Sequence, residues 1–333
     1  MSDAKISKTL PPKYSAMIQL KPPTERLFYL ITLSSGFLLA LSPFALAQED
    51  TPDAAIAKFN WFQAIILGMV QGLTEFIPIS STAHLKVIPV LLGWGDPGVA
   101  FTAVIQLGSI AAVLWYFWSD LSQITKGMVT AIRKSDYQSH DFRLGLGIAL
   151  GTLPIVFFGL SMKLLIADLD NSPLRSVEVI AGASIVMALL LALSEKISSH
   201  KRNFEQLRLQ DGVLMGLAQS LALIPGVSRS GSTMTSGLFL NLERATAARF
   251  SFLLGIPAIT LAGLVELKEV VDMGLSNDII IPVIVGVISS AFFSYVAIAW
   301  LIRYLQKRDT WVFVWYRLGF GLFILGSIFI QFN

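Results

Sequence analysis

The chain has no cysteine among its 333 residues and only three histidines, His84, His140 and His200. The first absence excludes disulfides, thiolate zinc sites and thiol nucleophiles, and the second argues against a multi-histidine metal centre. Charge is also scarce, with 14% charged residues against 54% hydrophobic ones. That balance is the composition of an integral membrane protein. The 25 Lys and Arg against 22 Asp and Glu leave a formal +3, too small an excess to suggest nucleic acid. What matters is which loops carry the cations.

Residues 1–26 are polar and basic, and the apolar run LFYLITLSSGFLLALSPFALA follows, ending in Ala45-Leu46-Ala47. This order reads as a secretory signal or an uncleaved anchor, with 48–58 as linker. Six later stretches are long and apolar enough to span a bilayer: about 99–119, 143–166, 178–198, 248–268, 279–304 and 312–331. Segments 61–95 and 212–241 differ, because proline and a hydroxyl cluster interrupt each at its centre. Neither half reaches the roughly 20 residues a crossing needs. Both are expected to be re-entrant helical hairpins, which are tolerated at membrane depth only where protein buries the broken backbone. The expected fold is all-α and polytopic.

Cations concentrate in loops 120–142 (Lys126, Arg133, Lys134), 199–211 (Lys201, Arg202, Arg208) and 303–311 (Arg303, Lys307, Arg308). The alternate loops carry Asp168 and Asp170, or Glu266, Glu269, Asp272 and Asp278. The positive-inside rule places the first set in the cytoplasm and residue 60 outside, in agreement with the signal-like N-terminus.

The chain repeats itself. GMVQGLTEFIPISST (68–82) and GLAQSLALIPGVSRS (216–230) share Gly-x-x-Gln, an apolar stretch, Ile-Pro and a hydroxyl cluster, and Phe101 is matched by Phe250 further on. The halves, about 59–198 and 211–331, are each one hairpin plus three spans, and an odd number of spans inverts the second copy. Broken segments at matching positions of inverted repeats point to a site where their tips meet.

The tips carry the chemistry. Arg229 is the only charged residue between Val213 and Leu240. An arginine at membrane depth costs about 2.5–3.5 kcal/mol on insertion scales, so it is rare and usually functional. Pro225-Gly226 breaks a helix and Ser228 can cap the next. Hydroxyls, a helix N-terminus and a guanidinium together suit a phosphate; the plainer reading is a kink with Arg229 snorkelling to the surface. On the first hairpin Gln71 and Glu75 share a helix face, Pro78 breaks the helix, and Ser80-Ser81-Thr82 opens the next one ahead of His84. A buried carboxylate and a histidine suit acid–base work. Gln106 could bond the site or hold helices together, whereas Asp120 at a span end is expected to be solvated. His140 and His200 sit in polar loops, and the aromatic clusters at 115–118 and 311–316 read as interfacial belts.

QGLTEFIPISSTAH (71–84), PGVSRSGST (225–233) and FTAVIQLGSIAAV (101–113) resemble the motifs of the bacterial undecaprenyl-pyrophosphate phosphatase, or bacitracin-resistance protein, family. The likeness covers about 60–331. It implies hydrolysis of undecaprenyl pyrophosphate to the monophosphate carrier, at the plasma membrane, with a divalent cation such as Mg²⁺ or Ca²⁺. It also implies roles for Glu75, Ser81, His84 and Arg229 in catalysis and for Gln71, Ser80, Thr82, Ser228, Ser230 and Thr233 in substrate binding. Gln71 stands where the family more commonly has Glu, which leaves Glu75 as the expected carboxylate ligand of any metal. The expected partners are a polyprenyl pyrophosphate lipid and the bilayer, with a homo-oligomer left open. The nucleophile can be Ser81, His84 or an activated water, and adjacency favours Ser81 with His84 as its base. The rival class is a transporter or flippase built on the same repeat.

Overall fold

The computed structural model describes residues 59–166, 172–273 and 277–331, and the signal-like segment lies outside them. Every named element is helical. Hairpin one is α1 (Trp61–Phe76) and α2 (Ser81–Leu91), followed by α3 (Gly98–Tyr116), α4 (Trp118–Lys134), α5 (His140–Leu165) and α6 (Val177–Ile197). Hairpin two is α7 (Leu209–Ser220) and α8 (Arg229–Phe239), followed by α9 (Arg244–Met273), α10 (Asn277–Leu305) and α11 (Trp311–Gln331). Among the described residues five helices (α5, α6 and the three after hairpin two) are long and apolar enough to cross a membrane, and apolar α3, bent by 64° from α4, makes a sixth when the pair is taken together. Leu164, Ile281, Ile288, Phe292, Leu322 and Phe329 all stand exposed on these helices. Such a surface is stable only against lipid. The protein is a multi-pass membrane protein.

The halves are built into one another. The first helix of each hairpin packs on the second span of the other half, α1 on α10 and α7 on α5. First spans α3 and α9 pair, and so do third spans α6 and α11. Small residues permit the two hairpin contacts. A Cβ on Gly72 would meet the Ser290 carbonyl oxygen at 2.6 Å, and one on Gly216 would meet the Gly151 oxygen at 2.1 Å. Close backbone approach of this kind drives helix association where burial from water contributes little.

Two expectations need correction. Loop 120–142 is mostly helix, because 118–134 alternates apolar and cationic residues at helical spacing and α4 forms there. Asp120 is buried rather than solvated, paired with Arg249, whose guanidinium also lies 4.0 Å from the Phe204 ring centroid. Desolvated carboxylates persist only when so compensated. The same holds for Glu195, which receives bonds from Arg244 and, at 2.9 Å, from Thr310. Arg202, read from sequence as a topology charge, forks onto both oxygens of Asp211 and donates to the Leu240 and Gln206 carbonyls.

The glycine contacts make a direct test. Gly216→Val should lower the unfolding midpoint in detergent, since overpacking at such a site costs about 1–3 kcal/mol or more. Gly182→Ala, where an added Cβ meets nothing within 4 Å, should leave the midpoint unchanged.

Candidate active site

Both hairpins break where proline forces them to. α1 ends at Phe76, two residues before Pro78, and α7 ends at Ser220 ahead of a short 3₁₀ turn and Pro225. Each second helix then starts after a serine in a left-handed conformation, Ser80 at φ 77° and Ser228 at φ 71°. Non-glycine residues rarely adopt such angles, and where they do the surrounding structure holds them, commonly at functional sites. The tips meet: Ser230 Oγ donates to the Ile77 carbonyl at 3.3 Å.

A cavity of about 160 Å³ lies at the meeting point. Glu75, Ser80, Ser81, Thr82 and Gln106 line it from the first half, and Ser228 and Arg229 from the second. Ile155 of α5, Ile224 and the α9 residues Ala258, Ile259 and Ala262 form an apolar side. Glu75 is the hub. Its Oε2 accepts from Ser81 Oγ at 2.7 Å and from the Gln71 amide at 3.2 Å, and its Oε1 accepts from Arg229 Nη2 at 3.0 Å. Arg229 also donates to the Gly255 carbonyl at 2.8 Å. Arg229 therefore does not snorkel away.

The helix N-termini differ. Ser228 Oγ caps α8 by accepting from the Gly231 amide at 3.1 Å. Ser80 makes no such bond, so the first N–H groups of α2 are uncapped where Ser81 and Thr82 meet the cavity. Such a terminus attracts anions.

Three residues expected at the site do not line the cavity, and Gln71 reaches it only through Glu75. Thr233 is wholly buried against Ser251 and the Arg229 carbonyl, and Ser230 faces the other hairpin. His84 is not beside the Ser81 hydroxyl. Its Nδ1 bonds the Ser80 carbonyl and its Nε2 the Tyr316 hydroxyl, both at 2.7 Å, while its ring stacks on Phe320 at 4.3 Å. With both nitrogens engaged, the expected Ser81–His84 contact gives way to Ser81–Glu75. Among the described residues no group of three acidic or histidine side chains could hold a metal.

Sequence reasoning missed Arg317. It sits in α11, is 1% exposed, and donates to Pro78 O at 3.0 Å, Gly226 O at 2.7 Å and Val227 O at 3.1 Å, with Nε on Ser184 O. The signal was available, since an arginine inside an apolar span is as costly there as at 229.

Removing this guanidinium leaves carbonyls of both tips without donors, at about 1–3 kcal/mol each. Arg317→Met should therefore lower both the unfolding midpoint and the activity. Arg317→Lys, which cannot span both tips, should recover only part of either; a wild-type midpoint and rate in Arg317→Met would show the tips hold without it.

The model of the bacitracin resistance protein BacA family matches residues 64–323. Among curated relatives, the undecaprenyl-diphosphatase of Synechocystis sp. is 67% identical, over 85% of this chain and 90% of its own. That of Trichormus variabilis is 64% identical over 88% and 92%, and that of Nostoc sp. 62% over 90% and 95%. The hub Glu75, the Arg229 pairing and the uncapped start of α2 all fall within the matched stretch, and by both criteria the chain belongs to the BacA family.

Proposed function

We propose that the chain hydrolyses undecaprenyl pyrophosphate to undecaprenyl phosphate and inorganic phosphate, recycling the carrier for peptidoglycan synthesis and so conferring bacitracin resistance. The observation that carries this reading is the Ser81–Glu75–Arg229 constellation in a cavity with one polar and one apolar side. The names of the relatives support the substrate. The pyrophosphate takes the polar side and the prenyl chain leaves past Ile155, Ile224 and Ala262.

Arg229 is held by Glu75 in the free protein, and the incoming phosphate offers it a bidentate partner instead. That exchange frees Glu75 to accept a proton. Ser81 Oγ attacks the terminal phosphorus as its proton passes to Glu75, and the bond to the bridging oxygen breaks. Undecaprenyl phosphate departs with the electron pair. Glu75 gives up its proton to the departing phosphate. As carboxylate again it takes a proton from water, which attacks the phosphoserine phosphorus. It returns that proton to Ser81 Oγ as the P–O bond to the serine breaks and inorganic phosphate leaves. Arg229 and the uncapped N–H groups of α2 stabilise charge on the equatorial oxygens in both steps. His84 acts through position: its bond to the Ser80 carbonyl fixes the serine whose backbone starts α2.

A divalent cation fits this donor set only together with substrate. Mg²⁺ is commonly bound by one or two carboxylates plus substrate phosphates, and Glu75 supplies one carboxylate. When bound, the cation neutralises phosphate charge.

The halves are proposed to run in opposite directions through the inner membrane, with the cavity open to the extracytoplasmic side, on the strength of the loop charges. In this cysteine-free chain, a single cysteine at Asp272 should be labelled from outside and one at Lys201 from the cytoplasm. The reverse pattern inverts the topology.

For the chemistry, Arg229→Lys should remain folded and lose about 10²–10³ in kcat, the usual loss when one preorganised donor is removed. Glu75→Gln should lose a comparable amount. Rapid quench in acid should trap phosphate on Ser81, because a phosphoserine survives acid, and full single-turnover activity in Ser81→Ala would remove the covalent step. Phosphate release from purified protein in detergent, where no transport can be seen, tests the activity itself.

A further inference from the structure

Helix α4 has three faces, and among the described residues only one of them is covered. At 3.6 residues per turn, Asp120, Ile124, Gly127 and Ala131 fall together and pack against the protein, with Asp120 bonded to Arg249 and Gly127 closed in by Asp141 of α5. A second face carries Trp118, Thr125, Val129 and Ile132, all exposed, with Trp118 at 69% and Ile132 at 54%. Among the described residues nothing covers that face. The third face carries Gln123, Lys126, Thr130 and Arg133, with Lys134 at its edge, all exposed. None of the ion pairs among the described residues uses Lys126, Arg133 or Lys134.

The helix is also placed for a membrane surface. It leaves the end of α3 at 64°, and Trp115 and Trp118 stand exposed on either side of the bend. Tryptophan favours the headgroup level, and a helix with an apolar stripe beside a cationic one lies in the interfacial plane. The only acid of α4, Asp120, is neutralised inside the protein, so the outward charge of the helix is purely cationic.

We propose that α4 is an in-plane helix that binds the anionic headgroups of bilayer phospholipids. Trp118, Thr125, Val129 and Ile132 enter the acyl boundary, and Lys126 and Arg133, flanking that face, take the phosphates. Lipid continuous with that around the neighbouring spans covers the exposed stripe. Charge complementarity selects anionic lipid over zwitterionic lipid, since each basic residue near an anionic leaflet contributes about fivefold in binding, equivalent to about 1 kcal/mol.

Nitroxides on single cysteines at Thr125, Ile132 and Gln123 of the full chain, in nanodiscs with or without anionic phospholipid, test this. The labels at 125 and 132 should collide with oxygen and be shielded from a water-soluble nickel complex, and the label at 123 should do the reverse. Adding anionic lipid should deepen the 125 and 132 positions. The double substitution Lys126→Gln, Arg133→Gln should abolish that deepening, shifting the immersion equilibrium by about 25-fold, while hydrolysis in detergent stays unchanged. Equal nickel access at all three sites overturns the proposal. So does immersion indifferent to lipid charge, and so does shielding of 125 and 132 from both reagents, which would mean that protein, a second copy or a partner, covers the face.

Discussion

Two helices interrupted inside the protein leave carbonyl groups that no helix satisfies, and the rest of the molecule answers to that constraint. Arg317 answers it directly, one guanidinium reaching the carbonyls of Pro78, Gly226 and Val227 and so joining both tips. Hydrogen bonds to a charged donor contribute about 1.5–3 kcal/mol each, enough together to offset the cost of a buried cation. The guanidinium fork is needed because lysine has no planar array to span two chains. Its sequestration by backbone leaves Arg229 as the guanidinium that lines the cavity, held only by Glu75 and one carbonyl. One arginine holds the tips and the other lines the cavity.

The two halves supply complementary chemistry from one backbone pattern. Ser80 and Ser228 share a strained conformation, and the residue after each opens a helix: Ser81 in the first half, Arg229 in the second. These side chains converge on Glu75 from opposite sides. The terminus at Ser228 is self-capped and the one at Ser80 is not, so the two breaks share a backbone conformation and differ in how the helix after each begins. The exchange of helices between halves makes this arrangement workable, since α1 and α7 are each fixed by spans of the other half.

His84 shows how far adjacency in sequence can mislead. It is three residues from Ser81 on the same helix, which suggested an acid–base pair. The ring instead turns to α11, where Tyr316 and Phe320 give it a polar partner and a stacking surface. At the first position of α2, Ser81 points back towards the end of α1, and the carboxylate there is Glu75. A helical wheel contains neither α11 nor the end of α1.

The sequence alone determined what depends on local composition and period. Hydropathy fixed the membrane class and the spans to within a few residues, as the α10 and α11 boundaries show. Proline with a following hydroxyl cluster fixed both breaks, helical spacing fixed the Gln71–Glu75 pair, and self-similarity placed the breaks at equivalent points. Only the tertiary structure decided which buried polar groups find one another. Arg317 with Pro78, Arg249 with Asp120 and Glu195 with Arg244 join residues far apart in the chain. A desolvated charge fixes where a partner must be but not which residue supplies it, and that choice belongs to the rotation and crossing of whole helices.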